Sequence, residues 1–339
     1  MYNTAFQQQS LKDFSFLVTG GAGFIGSHLV EYLVKYGAKK VRILDNFATG
    51  QKENILPFLK NSQENPNNTA NNTVVELLEG DISHLETCHK ACKNMDFVLH
   101  QAALGSVPRS IDNPIATNEA NITGFLNMLV AAKDANIKRF VYAASSSTYG
   151  DSQKLPKKED EIGKPLSPYA LTKYVNELYA DVFNRTYGLN TIGLRYFNIF
   201  GPRQSPKGAY AAVIPLFAEA LLTNTSPKIN GDGSQTRDFT FVENAVQANI
   251  KAVFAENTAA VNQIYNVACG ERISVNDLFE TLREYAQTDL KAIYQESRKG
   301  DVQNSLADIS KINTLLGYEN PIKSREGLKI TWEWFKSNF

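Results

Sequence analysis

The sequence predicts an α/β protein, a doubly wound parallel sheet followed by a smaller mixed α/β lobe. Two observations predict it. Apolar strand-like runs bounded by turns alternate with helix-like segments through the first two hundred residues. The first of these strands runs into a helix through the turn Thr19-Gly20-Gly21-Ala22-Gly23-Phe24-Ile25-Gly26. Beyond Gly201-Pro202 the alternation becomes irregular, which divides the chain into a first lobe over 14–200 and a second over 201–339.

In chain order, Phe14-Ser15-Phe16-Leu17-Val18 is the first strand and 27–36 an amphipathic helix. A glycine turn between them lets bare backbone approach a pyrophosphate, whose charge then rests on the free N–H groups and positive dipole end of the helix. The run reads as a dinucleotide cradle of Rossmann type. The second strand, Val41-Arg42-Ile43-Leu44, ends in Asp45, where such a fold presents a carboxylate to the adenosine ribose hydroxyls. An acid there repels a ribose phosphate, so NAD is favoured over NADP. Further strands are read at 74–78, 96–99, 139–144 and 191–197, and helices at 213–222 and 242–255 flank the turn Gly231-Asp232-Gly233. Segments near 239–268 are candidates to return to the first lobe.

Composition excludes several classes. Of 339 residues, 43% are hydrophobic, enough for one large or two medium cores and too apolar for disorder. Lysine plus arginine equals aspartate plus glutamate at 35 each, so no global basic field exists to hold nucleic acid or an anionic membrane. Three cysteines, Cys88, Cys92 and Cys269, form no framework spacing, as in a reducing compartment. The stretch 1–13 is polar without a signal-peptide core, and no apolar run reaches membrane-spanning length. A cytoplasmic protein is expected.

The Asn-rich stretch 60–73 is read as a solvated loop, and triplets such as Asn121-Ile122-Thr123 as chance glycosylation matches. His84, Cys88 and Cys92 share one helical face, but the outer two stand about 12 Å apart, too far for one tetrahedral metal ion. They read as a half-buried helix face, and no metal is expected.

Chemistry centres on Tyr169 and Lys173, which share a face of the helix predicted after Ser167-Pro168. Tyr36 and Lys40 have the same spacing without the same context. Tyr169 follows a strand that ends in Ser145-Ser146-Ser147-Thr148-Tyr149-Gly150, a hydroxyl cluster at the carboxyl edge of the sheet, where ligands bind. A neighbouring ammonium and an oxidised nicotinamide both favour a phenolate. A serine sharing the substrate proton with Tyr169 completes a base and relay for hydride transfer at a secondary alcohol.

These three features together resemble the extended short-chain dehydrogenase/reductase family, from about Phe14 onward. Within it, the run from His100 through Gln101-Ala102-Ala103-Leu104-Gly105-Ser106-Val107-Pro108 to Ser110 is most similar to bacterial UDP-N-acetylglucosamine/UDP-N-acetylgalactosamine 4-epimerases of surface polysaccharide synthesis. The resemblance implies that Gly20, Gly23, Phe24, Ile25 and Gly26 hold the NAD pyrophosphate, Asp45 and Asn46 the adenosine ribose, and Asp81 and Ile82 the adenine. Gln101, Ala102, Ala103, Asn118, Tyr169, Lys173 and Tyr196 complete the NAD site. Ser145, Tyr169 and Lys173 are the implied catalytic residues, with Tyr169 the base. For the substrate it implies Gly105, Ser106, Val107, Ser145, Ser146 and Ser147 at the sugar, and Asn198, Arg237 and Arg298 at the diphosphate. Tyr210, Ala212 and Val213 are implied at the nucleotide, and Asp301 beside Arg298.

The implied reaction oxidises C4 with tightly held NAD⁺, turns the 4-keto sugar about its diphosphate link and returns hydride to the other face. Related epimerases restricted to UDP-glucose and UDP-galactose carry a tyrosine where this chain has Ser305, and a serine leaves room for an N-acetyl group. A 4,6-dehydratase would need an acidic pair where Ser146 and Ser147 stand. A catalytically silent NAD sensor would not need an intact Ser145, Tyr169 and Lys173, and a simple dehydrogenase would release NADH. The resemblance also implies a homodimer acting on UDP-sugars, with glucose or uronic acid forms as alternative substrates.

Overall fold

Five consecutive buried residues, Ser15–Thr19, form β1. A strand buried on both faces shows no polar side, as a parallel sheet covered by helices requires. The same holds for β4 (Phe97–His100), whereas β2 (Lys40–Asp45), β3 (Val74–Glu79), β5 (Arg139–Ser145) and β6 (Thr191–Tyr196) keep some partly exposed positions. Shorter strands follow: β7 (Ile199–Phe200), β8 (Lys228–Asn230), β9 (Thr236–Arg237) and β10 (Thr240–Phe241). Then come β11 (Gln263–Val267), β12 (Ile273–Ser274) and β13 (Ile293–Gln295). The structure is a computed structural model and describes residues 1–59, 73–207, 211–296 and 303–339.

Seven strands make one sheet in the order β11-β6-β5-β4-β1-β2-β3, and every neighbouring pair is parallel. This is a Rossmann-type doubly wound sheet. The chain builds outward from β1 to β3, then returns to lay β4 on the other side of β1. That reversal opens a crevice at the carboxyl ends of β1 and β4, where this architecture binds ligands. The segment 263–267 enters the sheet as its outer strand β11, beside β6.

Apolar clusters cover both faces. One joins Phe16, Val18, Leu29, Leu33 and Ile43 to Val246 and Ile250 of the helix Val242–Val253. The other joins Leu17, Val98 and Tyr142 to Phe125, Met128 and Phe183. A third, with Phe217, Phe279, Trp332 and Phe335, gathers the helices Val213–Leu222, Val275–Ala286 and Ser324–Asn338. Among the described residues no helix is long and apolar enough to cross a membrane.

Two local expectations change. The glycine-loop helix spans Phe24–Lys35, starting three residues before the expected 27 because Gly23 serves as its N-cap. The polar-looking stretch 1–13 is docked, with Tyr2 and Leu11 buried in the first cluster. Tyr2 Oη lies 2.8 Å from His28 Nδ1 on the glycine-loop helix, and the Tyr2 N–H donates to Glu243 at 3.0 Å. Isolated apolar residues in a polar stretch carry no periodicity from which docking could be read.

Candidate active site

A cavity of about 760 Å³ runs along the carboxyl ends of the central strands. Its floor at one end is the glycine turn. Gly20 has φ +64°, and a Cβ there would stand 2.8 Å from the Ala102 backbone, so only glycine suits that approach. Gly23 caps the helix without any side chain reaching its N–H groups. Those donors face the cavity with the dipole behind them, which fits a pyrophosphate.

Farther along, Asp45 is buried at the end of β2. Its Oδ2 accepts the Ala22 N–H at 2.9 Å and its Oδ1 the Phe47 N–H at 2.8 Å. Burial pushes its carboxyl above the usual range, against these two hydrogen bonds. Each oxygen keeps a lone pair for a hydroxyl, the arrangement a ribose diol fits and a ribose phosphate does not. Asn46 Nδ2 donates to Asp81 Oδ2 at 2.6 Å, tying the two walls together.

At the other end stand Ser145, Tyr169 and Lys173. Ser167 caps the helix Pro168–Tyr187 by accepting from the Ala170 N–H at 3.1 Å, and Pro168 occupies its first turn. Ser145 ends β5, and its Oγ lies 2.8 Å from Ser147 Oγ. Lys173 Nζ donates to the Ala143 carbonyl at 2.8 Å and sits 6.0 Å from the centroid of the Tyr169 ring.

Burial raises the Tyr169 phenol and outweighs the lowering influence of the neighbouring Ser145 hydroxyl. Burial also pulls the Lys173 ammonium down to about 8. The chain by itself therefore holds Tyr169 protonated. Deprotonation needs a further positive charge beside the ring.

Of the residues assigned to NAD by resemblance, all except Asn118 line this cavity. Asn118 is exposed, and its neighbours Ala116, Glu119 and Ala120 form the wall instead. Positions three and four apart share a helical face, and Asn118 lies off that face. Gly105, Ser145 and Asn198 also line it, whereas Ser106, Val107, Ser146 and Ser147 do not. Ser106, at φ +103°, caps the next helix by accepting from the Arg109 N–H at 3.4 Å.

A second cavity of about 260 Å³ shares Asn198 and Ile199 with the first. Ala212, Val213 and Arg237 line it, together with Gln204, Lys228, Asn230 and Gln235, which sequence reading missed. Ser305 lines neither cavity; its N–H donates to the Thr236 carbonyl at 3.1 Å, next to Arg237. Tyr210, Arg298 and Asp301 lie outside the described residues, as does 60–72.

Two positioning groups carry no motif signal. Asn121 sits in a π-helical turn, Glu119–Thr123; its Oδ1 accepts the Leu104 N–H at 2.8 Å, and its Nδ2 donates to the Leu104 carbonyl and to Thr172 Oγ1, each at 3.1 Å. It thereby ties the cavity wall to the Tyr169 helix. Asn249 Nδ2 donates to Tyr196 Oη at 2.7 Å, and Tyr196 donates to Gln101 Oε1 at 3.0 Å, bracing two lining residues from below. Cys88 and Cys92 are buried on their helix, with Cys88 Sγ donating to the Ile82 carbonyl at 3.2 Å. Among the described residues no His, Cys, Asp or Glu group is arranged to hold a metal ion.

Residues 16–268 match the model of the NAD dependent epimerase/dehydratase family. The solved UDP-N-acetylglucosamine 4-epimerase of Methanobrevibacter ruminantium M1, in complex with UDP-N-acetylmuramic acid, is 39% identical, with a TM-score of 0.86 over 96% of this chain and 99% of that one. The Thermotoga maritima UDP-glucose 4-epimerase, solved with UDP-glucose, is 35% identical with the same TM-score and coverage. A UDP-glucuronate 4-epimerase of Thermodesulfobacterium geofontis is 34% identical over 95% of this chain and 96% of its own length. With the glycine cradle and the cavity along the strand ends already in place, this extended short-chain dehydrogenase/reductase belongs to the NAD-dependent UDP-sugar 4-epimerase family.

Proposed function

We propose that the chain interconverts UDP-N-acetylglucosamine and UDP-N-acetylgalactosamine. The observation that carries the reading is a residue as small as serine at 305, whose backbone N–H donates to the Thr236 carbonyl beside Arg237, a residue of the second cavity. A serine leaves the space that a C2 N-acetyl group needs. The 39% identity to a UDP-N-acetylglucosamine 4-epimerase supports it.

Bound NAD⁺ supplies the hydride acceptor at C4 and a positive charge at the Tyr169 end of the cavity. Tyr169 Oη takes the C4 hydroxyl proton, and the neighbouring Ser145 Oγ shares it. Lys173, anchored on the Ala143 carbonyl, holds the ammonium against the Tyr169 ring. Arg237 and Asn198 hold the diphosphate. Gly105, around whose Cβ position nothing lies within 4 Å, leaves the sugar room to turn.

The test is incubation with UDP-N-acetylglucosamine, UDP-glucose and the UDP-uronic acids, with products resolved by NMR. Turnover of UDP-N-acetylglucosamine several-fold above the others supports the reading. Preference for UDP-glucose or the uronic acid overturns it, and stoichiometric NADH would point to a dehydrogenase.

We also propose a homodimer, cytoplasmic in location. Ile111, Ile115, Leu171, Leu178 and Val182 are exposed apolar side chains on the helices at 107–118 and 168–187, an apolar surface that a second copy can cover. Leu171→Glu with Leu178→Glu should yield monomers in analytical ultracentrifugation. A wild type that sediments as a monomer refutes the dimer.

A further inference from the structure

Behind the Tyr169 helix lies a charged pair that the proposed chemistry has not used. Glu177 stands one helical turn beyond Lys173 and so shares its face. Both its carboxylate oxygens are taken by Arg195 of β6, whose Nε donates to Oε1 and Nη2 to Oε2, each at 2.8 Å. The two side chains are only 3% and 6% exposed. Arg195 reaches further: its guanidinium lies 4.8 Å from the centroid of the Tyr149 ring, and its Nη1 donates to the Glu159 carbonyl at 2.9 Å. One arginine thus touches the Tyr169 helix, the serine turn and the loop after it.

We propose that the Glu177–Arg195 pair is a positioning device for proton transfer, in which Arg195 fixes the Glu177 carboxylate where it keeps the Lys173 ammonium charged. The inference rests on the reading of Tyr169 and Lys173 as the acid–base pair. Burial strips water from Lys173 and pulls it to about 8, and Glu177 acts against that fall. The other titratable groups near Lys173 do not help. Tyr169 on the same helix is raised by burial, and His100 on β4 is pulled down by burial to about 3, so both are uncharged at neutral pH. Around the pair stand Tyr142 and Tyr149, both raised by burial, with Asp181 acting on Tyr142 and Glu159 on Tyr149. Glu159 is also turned to the Asn266 N–H, at 2.9 Å.

A buried carboxylate without a partner is costly as an anion, and a bidentate guanidinium is the partner that best fits it. Removing Arg195 alone would leave Glu177 uncompensated, and removing Glu177 alone would leave a buried cation near Lys173. The pair therefore carries information that neither residue carries singly.

The experiment titrates the Lys173 Cε signal by NMR in lysine-labelled protein with its bound NAD, the signal being assigned with Lys173→Arg. In Glu177→Gln the midpoint should fall by about one pH unit or more, and the alkaline limb of kcat/KM should move down with it. The double variant Glu177→Met, Arg195→Met replaces a buried pair by apolar groups, a change that is often neutral for folding. There too Lys173 should titrate below wild type, and this variant decides the matter where Glu177→Gln fails to fold. An unchanged midpoint in the double variant refutes the device even if activity has dropped. Tyr169→Phe separates the two readings: retained activity overturns the acid–base assignment, whereas lost activity with an immobile Lys173 midpoint overturns only the Glu177–Arg195 role.

Discussion

Adding one methyl group at Gly26 should empty the dinucleotide cradle. Gly26 is buried in the first turn of the glycine-loop helix, so the obstacle is space. A Cβ there would overlap the Gly20 carbonyl oxygen and stand 2.8 Å from Gly20 C and Gly21 Cα. Carbon contacts settle at about 3.5–4.0 Å, so the loop must retreat by about 1 Å. Every atom it meets is backbone, and Gly20 is anchored by donating to the Leu44 carbonyl at 2.7 Å and accepting from the Gly23 N–H at 3.0 Å. Overpacking of this kind costs about 1–3 kcal/mol. If the loop's strain falls on the bound state, NAD affinity drops by about ten- to a hundredfold. NAD released from denatured protein and Tm by differential scanning fluorimetry both read the effect. Two controls grade it. Gly23→Ala meets the Gly20 carbonyl oxygen at 3.1 Å and should be milder, and Gly105→Ala meets nothing within 4 Å and should leave both readouts unchanged. Wild-type NAD content and Tm in Gly26→Ala, or equal damage from Gly105→Ala, would refute the reasoning.

Tyr169→Phe keeps the ring and removes the proton carrier, so NAD should stay bound while epimerisation falls by about two or more orders of magnitude; near-normal turnover would disprove the mechanism. Ser305→Tyr should abolish turnover of N-acetylated sugars by filling their space while sparing UDP-glucose, as initial rates on both substrates will show. Equal losses on both would remove Ser305 from the sugar's surroundings. Asp238 is buried, accepts from the Cys269 N–H at 3.0 Å and the Ala307 N–H at 3.3 Å, and is pushed by burial up to about 7. Its unfolded value is about 3.9, so the folded form keeps a proton that the unfolded form has lost. Its contribution to stability is full below pH 4 and is lost as pH rises to about 7. Asp238→Asn should flatten Tm against pH across that window, and parallel curves would count against it.

The parts of this molecule that were legible in the sequence are those whose meaning is local. Glycines three apart between a strand and a helix, a carboxylate ending the next strand, and a tyrosine and lysine one turn apart each describe a few consecutive residues, and the structure sets them along one cavity. Other residues acquire their role only through distant partners. Asn121 looked like part of a chance glycosylation triplet, yet its side chain joins Leu104 to Thr172. Asn249 is one of several polar residues on its helix, with nothing local to single it out, and its partner Tyr196 belongs to a strand far away in sequence. The second cavity draws on β7, β8, β9 and two helices, and no single stretch of chain foreshadows it.

The two cavities also differ in a way that bears on epimerisation. They meet at Asn198 and Ile199, and Asn198 is fixed there, with φ +38° and its Nδ2 donating to the Asp238 carbonyl at 3.1 Å. Asp238 in turn grips the backbone of Cys269 and Ala307, so the junction is braced from three sides. The second cavity offers lysine, arginine and amides at Lys228, Arg237, Asn230 and Gln235. The first cavity offers Gly105 with open space about it. Turning a keto sugar over demands that its anchor be held while the ring is let go, and on the proposed reading the braced junction would hold the anchor while the space about Gly105 lets the ring go. On the proposed reading, substrate choice then depends on what can rotate in the half that Gly105 leaves open.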